Sequence, residues 1–246
     1  MAGPGGSALQ SLERRCTIRH SRIFDTAARL YDLATDQPFW REAIGRMLDA
    51  AGPLPPAPRV LDLGCGPGHG AFVMAARLGP SATVLGIDAA PRMIAVARRH
   101  LARRHPDLAN VRFEVADAAR LDLSGASIDL AAGHSFLYIV PDPAAVLAEV
   151  RRVLAPGGTL VLMEPDAAGT LLRAARRLPI EGRDWVRRPW AAARFAGSMV
   201  TWRVYSRGRG QLDASRVERL MRDAGFRDVS FAPTLGGLGM HCVART

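Results

Sequence analysis

Val60-Leu61-Asp62-Leu63 runs without a break into Gly64-Cys65-Gly66-Pro67-Gly68, which sets three glycines at alternate positions. A short run of this kind reads as a buried strand of a parallel sheet. Glycine then lets the chain turn sharply and lets another group approach the backbone closely. A helical pattern follows from His69 to Leu78 and stops at Gly79-Pro80. The next apolar run, Thr83-Val84-Leu85-Gly86-Ile87, ends in Asp88. A carboxylate at the end of the second strand is well placed to accept hydrogen bonds from two ribose hydroxyls. Strand, glycine loop, helix and acidic second strand together imply a nucleoside-binding unit.

The alternation continues. Pro91 sits at a first helical position, and Met93, Ile94, Val96, Ala97 and Leu101 form an apolar face behind it. Asn110 to Val115 reads as a third strand with Asp117 just beyond it, and Ile128 to Ala132 as a fourth. Asp142-Pro143 supplies a cap and a first-turn proline for a helix over Ala144 to Leu154. Pro156-Gly157-Gly158 then breaks the chain before a fifth strand, Thr159 to Met163. Strands alternating with helices imply an α/β fold, a doubly wound and mostly parallel sheet with helices on both faces. Ligands of such sheets gather at the carboxyl ends of the strands. Asp62, Asp88, Asp117, His134 and Glu164 all fall at such ends. Farther on, Asp213 caps a helix over Ser215 to Ala224 that stops at Gly225. Phe226 to Phe231 and Gly239 to Ala244 read as a terminal hairpin around Pro233 to Gly237.

Composition narrows the chemistry. The 246 residues suit one large domain. The net charge is +10, and all 33 basic residues are arginine, because the chain contains no lysine. A Schiff-base lysine and a P-loop lysine are both excluded, and with them pyridoxal-phosphate and Walker-type chemistry. The arginines are scattered as doublets such as Arg98-Arg99 and Arg176-Arg177, which reads as a solvated surface rather than a nucleic-acid face. Three cysteines, Cys16, Cys65 and Cys242, lie too far apart for a disulfide framework or a metal cluster. No metal constellation is visible. No apolar run spans a membrane and no secretory signal opens the chain, so a cytoplasmic location is expected.

The glycine spacing then separates two nucleoside ligands. A dinucleotide fingerprint places a glycine where His69 stands. Asp62 would repel a pyrophosphate and suits an ammonium or a sulfonium. This points from a nicotinamide dinucleotide towards S-adenosylmethionine. Here the chain resembles the class I S-adenosylmethionine-dependent methyltransferases of small-molecule type. Val60 to Gly68 is similar to their first motif, Asp88 to their ribose-binding acid, and Asp117-Ala118 to the pair that meets adenine. Leu147 to Leu162, with its Pro-Gly-Gly turn, resembles their helix, turn and fifth strand. The resemblance covers about Phe24 to Pro165.

It implies a seven-stranded Rossmann-like sheet with a C-terminal antiparallel hairpin strand. It also implies one methyltransferase domain over 21–246 behind a flexible N-terminus, 1–20. Within the domain, 21–57 would be a helical cover and 173–210 a substrate lid. The implied cofactor is S-adenosylmethionine, leaving as S-adenosylhomocysteine. Its contacts would be Tyr31, Asp62, Gly64, Gly66, Gly68, Asp88, Ala89, Met93, Asp117, Ala118, His134 and Ser135. The backbone of Gly64 and Gly66 would approach the methionine portion, where a Cβ would collide. The implied reaction is in-line methyl transfer to an O, N or C atom of a small acceptor.

His134 and Tyr138 are the candidate catalytic residues, and Glu164 a third candidate base. His69 and His241 are read as structural. The lid reading rests on Trp185, Trp190, Trp202, Phe195 and Tyr205. Two alternatives stay open: an RNA or protein methyltransferase, suggested by the charge, and a non-catalytic binding protein that keeps the fold. Nucleic acid is not the expected partner, and the oligomeric state is not readable.

Overall fold

β1 (Arg59–Leu63) lies in the interior of the sheet and sends alternate side chains to opposite faces. Val60 joins one apolar cluster, while Leu61 and Leu63 join the other. The computed structural model describes residues 31–32, 35–170, 189–207 and 212–246. The expected flexible N-terminus, most of the 21–57 cover before Tyr31, and Trp185 lie outside these residues.

Seven strands run in the order β3-β2-β1-β4-β5-β7-β6. They are β1, β2 (Thr83–Asp88), β3 (Val111–Val115), β4 (Ile128–His134), β5 (Leu154–Pro165), β6 (Arg227–Thr234) and β7 (Gly239–Arg245). β1 to β5 pair in parallel, and β7 enters antiparallel between β5 and β6. The terminal hairpin therefore belongs to the main sheet. α1 (Pro38–Ala51), α2 (His69–Leu78) and α3 (Pro91–Arg104) supply buried residues to the first cluster, and α4 (Pro143–Val153) and α6 (Ala214–Asp223) to the second. On α1, Trp40, Ala43, Ile44, Met47, Leu48 and Ala51 are buried at helical spacing.

Asp142 and Asp213 are the caps that their positions suggest: their carboxylates accept from Ala145 N at 3.0 Å and Arg216 N at 2.7 Å.

Two segments differ from their local patterns. Pro156-Gly157-Gly158 does not precede the fifth strand but interrupts it, because Ile128 pairs with Leu154 and Leu130 with Thr159. The extra residues form a bulge, and Gly157 adopts the φ of +76° that the excursion needs. The stretch after β5 contains a 19-residue helix, α5 (Pro189–Arg207), where periodicity is poor. Its buried positions include Met199, Arg203 and Ser206, a narrow strip whose members are partly polar. The Arg203 guanidinium donates to the carbonyls of Asp166, Ala167 and Gly169, so it docks the helix on the turn after β5. A strip held by hydrogen bonds leaves no apolar signature. Among the described residues, no helix is long and apolar enough to cross a membrane.

Candidate active site

The glycine loop is built by the first two strands. Cys65 N donates to Ile87 O at 2.9 Å, and Gly66 N donates to the Asp88 carboxylate at 3.0 Å. The other Asp88 oxygen accepts from Ala90 N at 2.8 Å, so one side chain spans the loop and the start of α3. Gly64, Gly66 and Gly68 have φ of +62°, +51° and +91°, all in the left-handed region.

Their neighbours differ. A Cβ on Gly64 would meet the Phe136 ring at 2.5 Å, and one on Gly68 the Phe113 ring at 2.8 Å. At Gly66 the nearest atom would be on Tyr31, at 3.6 Å. Space for a ligand therefore opens at Gly66. Gly64 is held small by protein packing, which corrects the reason expected for it. Gly68 starts α2 and borders neither cavity described next.

Two cavities meet at Tyr31, Gly64 and Gly66. One, of about 410 Å³, is bordered by Asp88, Ala89, Met93, Asp117, Ala118 and Phe136. The other, of about 360 Å³, is bordered by Asp62, His134, Ser135, Tyr138, Trp40 and Trp202. All the cofactor contacts expected from the sequence except Gly68 thus line one lobe or both. Asp117 accepts from Ala119 N at 2.9 Å, which turns the chain after β3 along the first lobe.

The second lobe lies between α1 and α5. Trp40 Nε1 donates to Ser198 Oγ at 3.1 Å, and Trp202 Nε1 donates to Ser135 Oγ at 2.8 Å. The two indoles meet edge to face at 5.9 Å, and Trp40 meets the His134 ring at 4.9 Å. Ser135 holds a φ of +54°, uncommon for a side-chain-bearing residue. Ser198 and Thr201 on α5 had no sequence signal. Trp190 is 83% exposed and lies outside the lobe.

Three groups set the electrostatics. Asp62 accepts from Ala71 N, and its Oδ2 has no hydrogen-bond partner among the described residues. Desolvation pushes its pKa up to about 7. His134 is half-buried, its Nε2 is buried without a partner among the described residues, and desolvation pushes its pKa down to about 4, so it is neutral at pH 7. Glu164 points to the other face of the sheet. One of its oxygens accepts from Phe136 N at 3.0 Å and Leu137 N at 2.8 Å, and the other accepts from Tyr138 N at 3.4 Å. It borders neither lobe and caps the short helix Leu137–Ile139, so it is removed as a candidate base.

His241 sits in β7, buried, and Cys65 is a buried thiol pushed well up by desolvation, which makes it unreactive. Among the described residues, Asp32, His69 and His100 come together within metal-ligand distance, a group that no local spacing announced.

A two-lobed cavity, a glycine open to a ligand at Gly66 and an orphaned buried carboxylate oxygen on Asp62 fit S-adenosylmethionine: a nucleoside at one end and an ammonium-bearing chain at the other. A family model described as a methyltransferase domain matches residues 56–200. A trans-aconitate 2-methyltransferase of Methylobacterium nodulans is 41% identical over 114 residues, which is 46% of this chain and 41% of that protein. A nocamycin O-methyltransferase of Saccharothrix syringae is 36% identical over 143 residues, 58% of this chain and 50% of that one. The chain thus spans about half the length of the curated relatives it matches. The crystal structure of a SAM-dependent methyltransferase from Aquifex aeolicus shares the fold, with a TM-score of 0.64 at 18% identity over 90% of this chain and 97% of that one. Fold, site and family model agree, and the chain belongs to the class I S-adenosylmethionine-dependent methyltransferases.

Proposed function

We propose that this protein transfers a methyl group from S-adenosylmethionine to a small-molecule acceptor seated between α1 and α5. The observation that carries the reading is the continuity of the two lobes through Gly66, with Asp88 and Asp117 bordering one and Asp62 with the rings of Trp40 and Trp202 bordering the other. When bound, the cofactor supplies a methyl group already activated by a positive sulfur. The protein's work is then to hold, align and exclude water. Asp88 would hold the ribose, and Ala89, Met93 and Ala118 would give the adenine an apolar bed. Asp62 Oδ2 would pair with the ammonium of the methionine end. Tyr31 borders both lobes and would close over their junction.

The acceptor lobe supports a neutral, planar, hydroxylated molecule. Trp40 and Trp202 offer ring faces and edges, and their N–H groups are already engaged by Ser198 and Ser135. Among the described residues, no arginine borders the lobe. That favours a neutral acceptor over a tricarboxylate such as trans-aconitate. His134 would be the proton acceptor: its neutral imidazole borders the lobe, and its buried Nε2 has no hydrogen-bond partner among the described residues. A base this weak suits an acceptor whose hydroxyl is already acidic, such as an enol or a phenol. Tyr138 would orient the acceptor beside it.

Calorimetry with S-adenosylmethionine, followed by transfer of a labelled methyl group to a panel of neutral enols and phenols beside trans-aconitate, tests the proposal. Cofactor binding with methylation of the neutral acceptors is expected. Absence of binding at micromolar concentrations refutes the cofactor's role here, and methylation of the tricarboxylate alone refutes the acceptor class.

A further inference from the structure

Three side chains at the edge of the glycine loop have no part in the methyl-transfer reading. One Asp32 oxygen faces His69 Nε2 at 3.0 Å, and the other faces His100 Nε2 at 3.2 Å. His69 opens α2 directly after the loop, His100 lies on α3, and Asp32 follows Tyr31 in the cover. Their side chains are 14%, 8% and 16% exposed.

The tautomer of His100 gives the cluster its meaning. His100 Nδ1 lies 3.3 Å from the Pro67 carbonyl oxygen. A carbonyl only accepts, so Nδ1 carries the proton. Nε2 is then the nitrogen presented to the Asp32 carboxylate, and a metal ion held there would bridge the two. A backbone carbonyl fixing the far ring nitrogen is also the usual way a metal-binding histidine is oriented.

The distances agree. The three ligand atoms lie within 4.8 Å of one another. With metal–ligand bonds of about 2.0–2.1 Å, a tetrahedral site has ligand–ligand edges of about 3.3 Å, and the N···O separations of 3.0 and 3.2 Å, each to a different oxygen of Asp32, lie near that length. Asp36, four residues along, is engaged differently: its oxygens take Arg41 at 3.0 Å and Arg104 at 3.1 Å. Two imidazoles and one carboxylate select a borderline divalent ion over magnesium or calcium.

We propose that Asp32, His69 and His100 bind one divalent transition-metal ion of the zinc and cobalt class. The remaining coordination position is left to water. The ion would fasten the cover that carries Tyr31 to the glycine loop and α3. The site needs neither methyl donor nor acceptor, so it stands or falls separately from the proposed reaction.

The full chain, stripped of metal by a chelator and desalted, is titrated with Co²⁺ and followed by visible d–d absorption. Saturation at one equivalent is expected, with the colour discharged by Zn²⁺. Asp32→Asn and His69→Gln should each weaken binding by about tenfold or more, with thermal melts of the metal-free variants close to that of the parent. A parent chain that gives no saturable absorption overturns the site, and that result is independent of how any variant folds. Equal binding by parent and both variants also overturns it, because the ion is then held elsewhere. So does a His100 ring that stays doubly protonated by nitrogen-resolved NMR in the presence of Zn²⁺, which would mean a proton, not a metal, bridges it to Asp32.

Discussion

Asp62 is buried beneath the glycine loop with one oxygen unpartnered, and Asp62→Asn measures what that placement costs. Its pKa rises from 3.8 to about 7, with desolvation as the main cause. Between those values the unfolded chain has released the proton while the folded chain retains it. Stability therefore falls as pH rises through this window, and the loss levels off above pH 7. Three units correspond to about 4 kcal/mol at pH 8, an upper figure. About 2.5 kcal/mol of it is acquired between pH 5 and pH 8. The asparagine carbonyl can still accept from Ala71 N, but its amide then occupies the unpartnered position at a cost of about 1–3 kcal/mol. That cost does not depend on pH, so the comparison of two pH values isolates the ionisation.

For a chain of this size 1 kcal/mol moves Tm by about 2–4 °C. Without cofactor, the Tm of Asp62→Asn relative to the parent should therefore be about 5–10 °C more favourable at pH 8 than at pH 5. Glu164 and the histidines are common to both proteins and cancel. Saturating S-adenosylmethionine should shrink or reverse the advantage at pH 8, because the parent carboxylate then has an ammonium partner. Differential scanning fluorimetry over this range gives both results. An offset between variant and parent that is the same at pH 5 and pH 8 would refute the reasoning, since the carboxylate would not be ionising in a desolvated site.

Asp88→Ala should weaken S-adenosylmethionine and adenosine alike, by about 1.5–3 kcal/mol for each charge-assisted hydrogen bond lost, whereas Asp62→Asn should weaken only the former; calorimetry with both ligands separates them. His134→Gln should lower kcat by about 10²–10⁴-fold if Nε2 accepts the acceptor's proton. The same variant should lose less stability than the parent as pH falls from 6.5 to about 4, because the folded imidazole resists a proton that the unfolded one takes up; parallel acid-unfolding curves would contradict this. Trp202→Phe removes the N–H that reaches Ser135 and should cost about 1 kcal/mol and raise the acceptor KM. Trp190→Ala, at an exposed position, should change neither KM nor Tm by more than about 0.5 kcal/mol equivalent, and a large effect there would relocate the acceptor.

The lobe bordered by Asp88 and Asp117 could be read from the chain because its parts are local. A glycine loop must follow β1, an acid must end β2, and Asp117 must follow β3, so strand order alone gathers them at one sheet edge. The caps at Asp142 and Asp213 were legible for the same reason, since each acts within three residues. The lobe between α1 and α5 was legible only in part: His134, Ser135, Tyr138 and Trp202 were nominated, whereas Ser198 and Thr201 were not. Trp40 meets Ser198 across 158 residues, and Trp202 meets Ser135 across 67. α5 hid because its buried strip includes Arg203 and Ser206, which periodicity scores as surface. Glu164 shares a strand end with the site residues, and only the face it points to shows that it caps a helix. Gly64 borders both lobes, yet the clash that a Cβ there would make is with Phe136.

By itself, then, the sequence determined the sheet, the glycine loop and the acids at the strand ends, because short-range sterics and side-chain alternation act between near neighbours. Tertiary structure alone decided which side chains meet between α1 and α5 and which carboxylate two histidines share, because those contacts depend on how distant elements pack, and no local pattern encodes that.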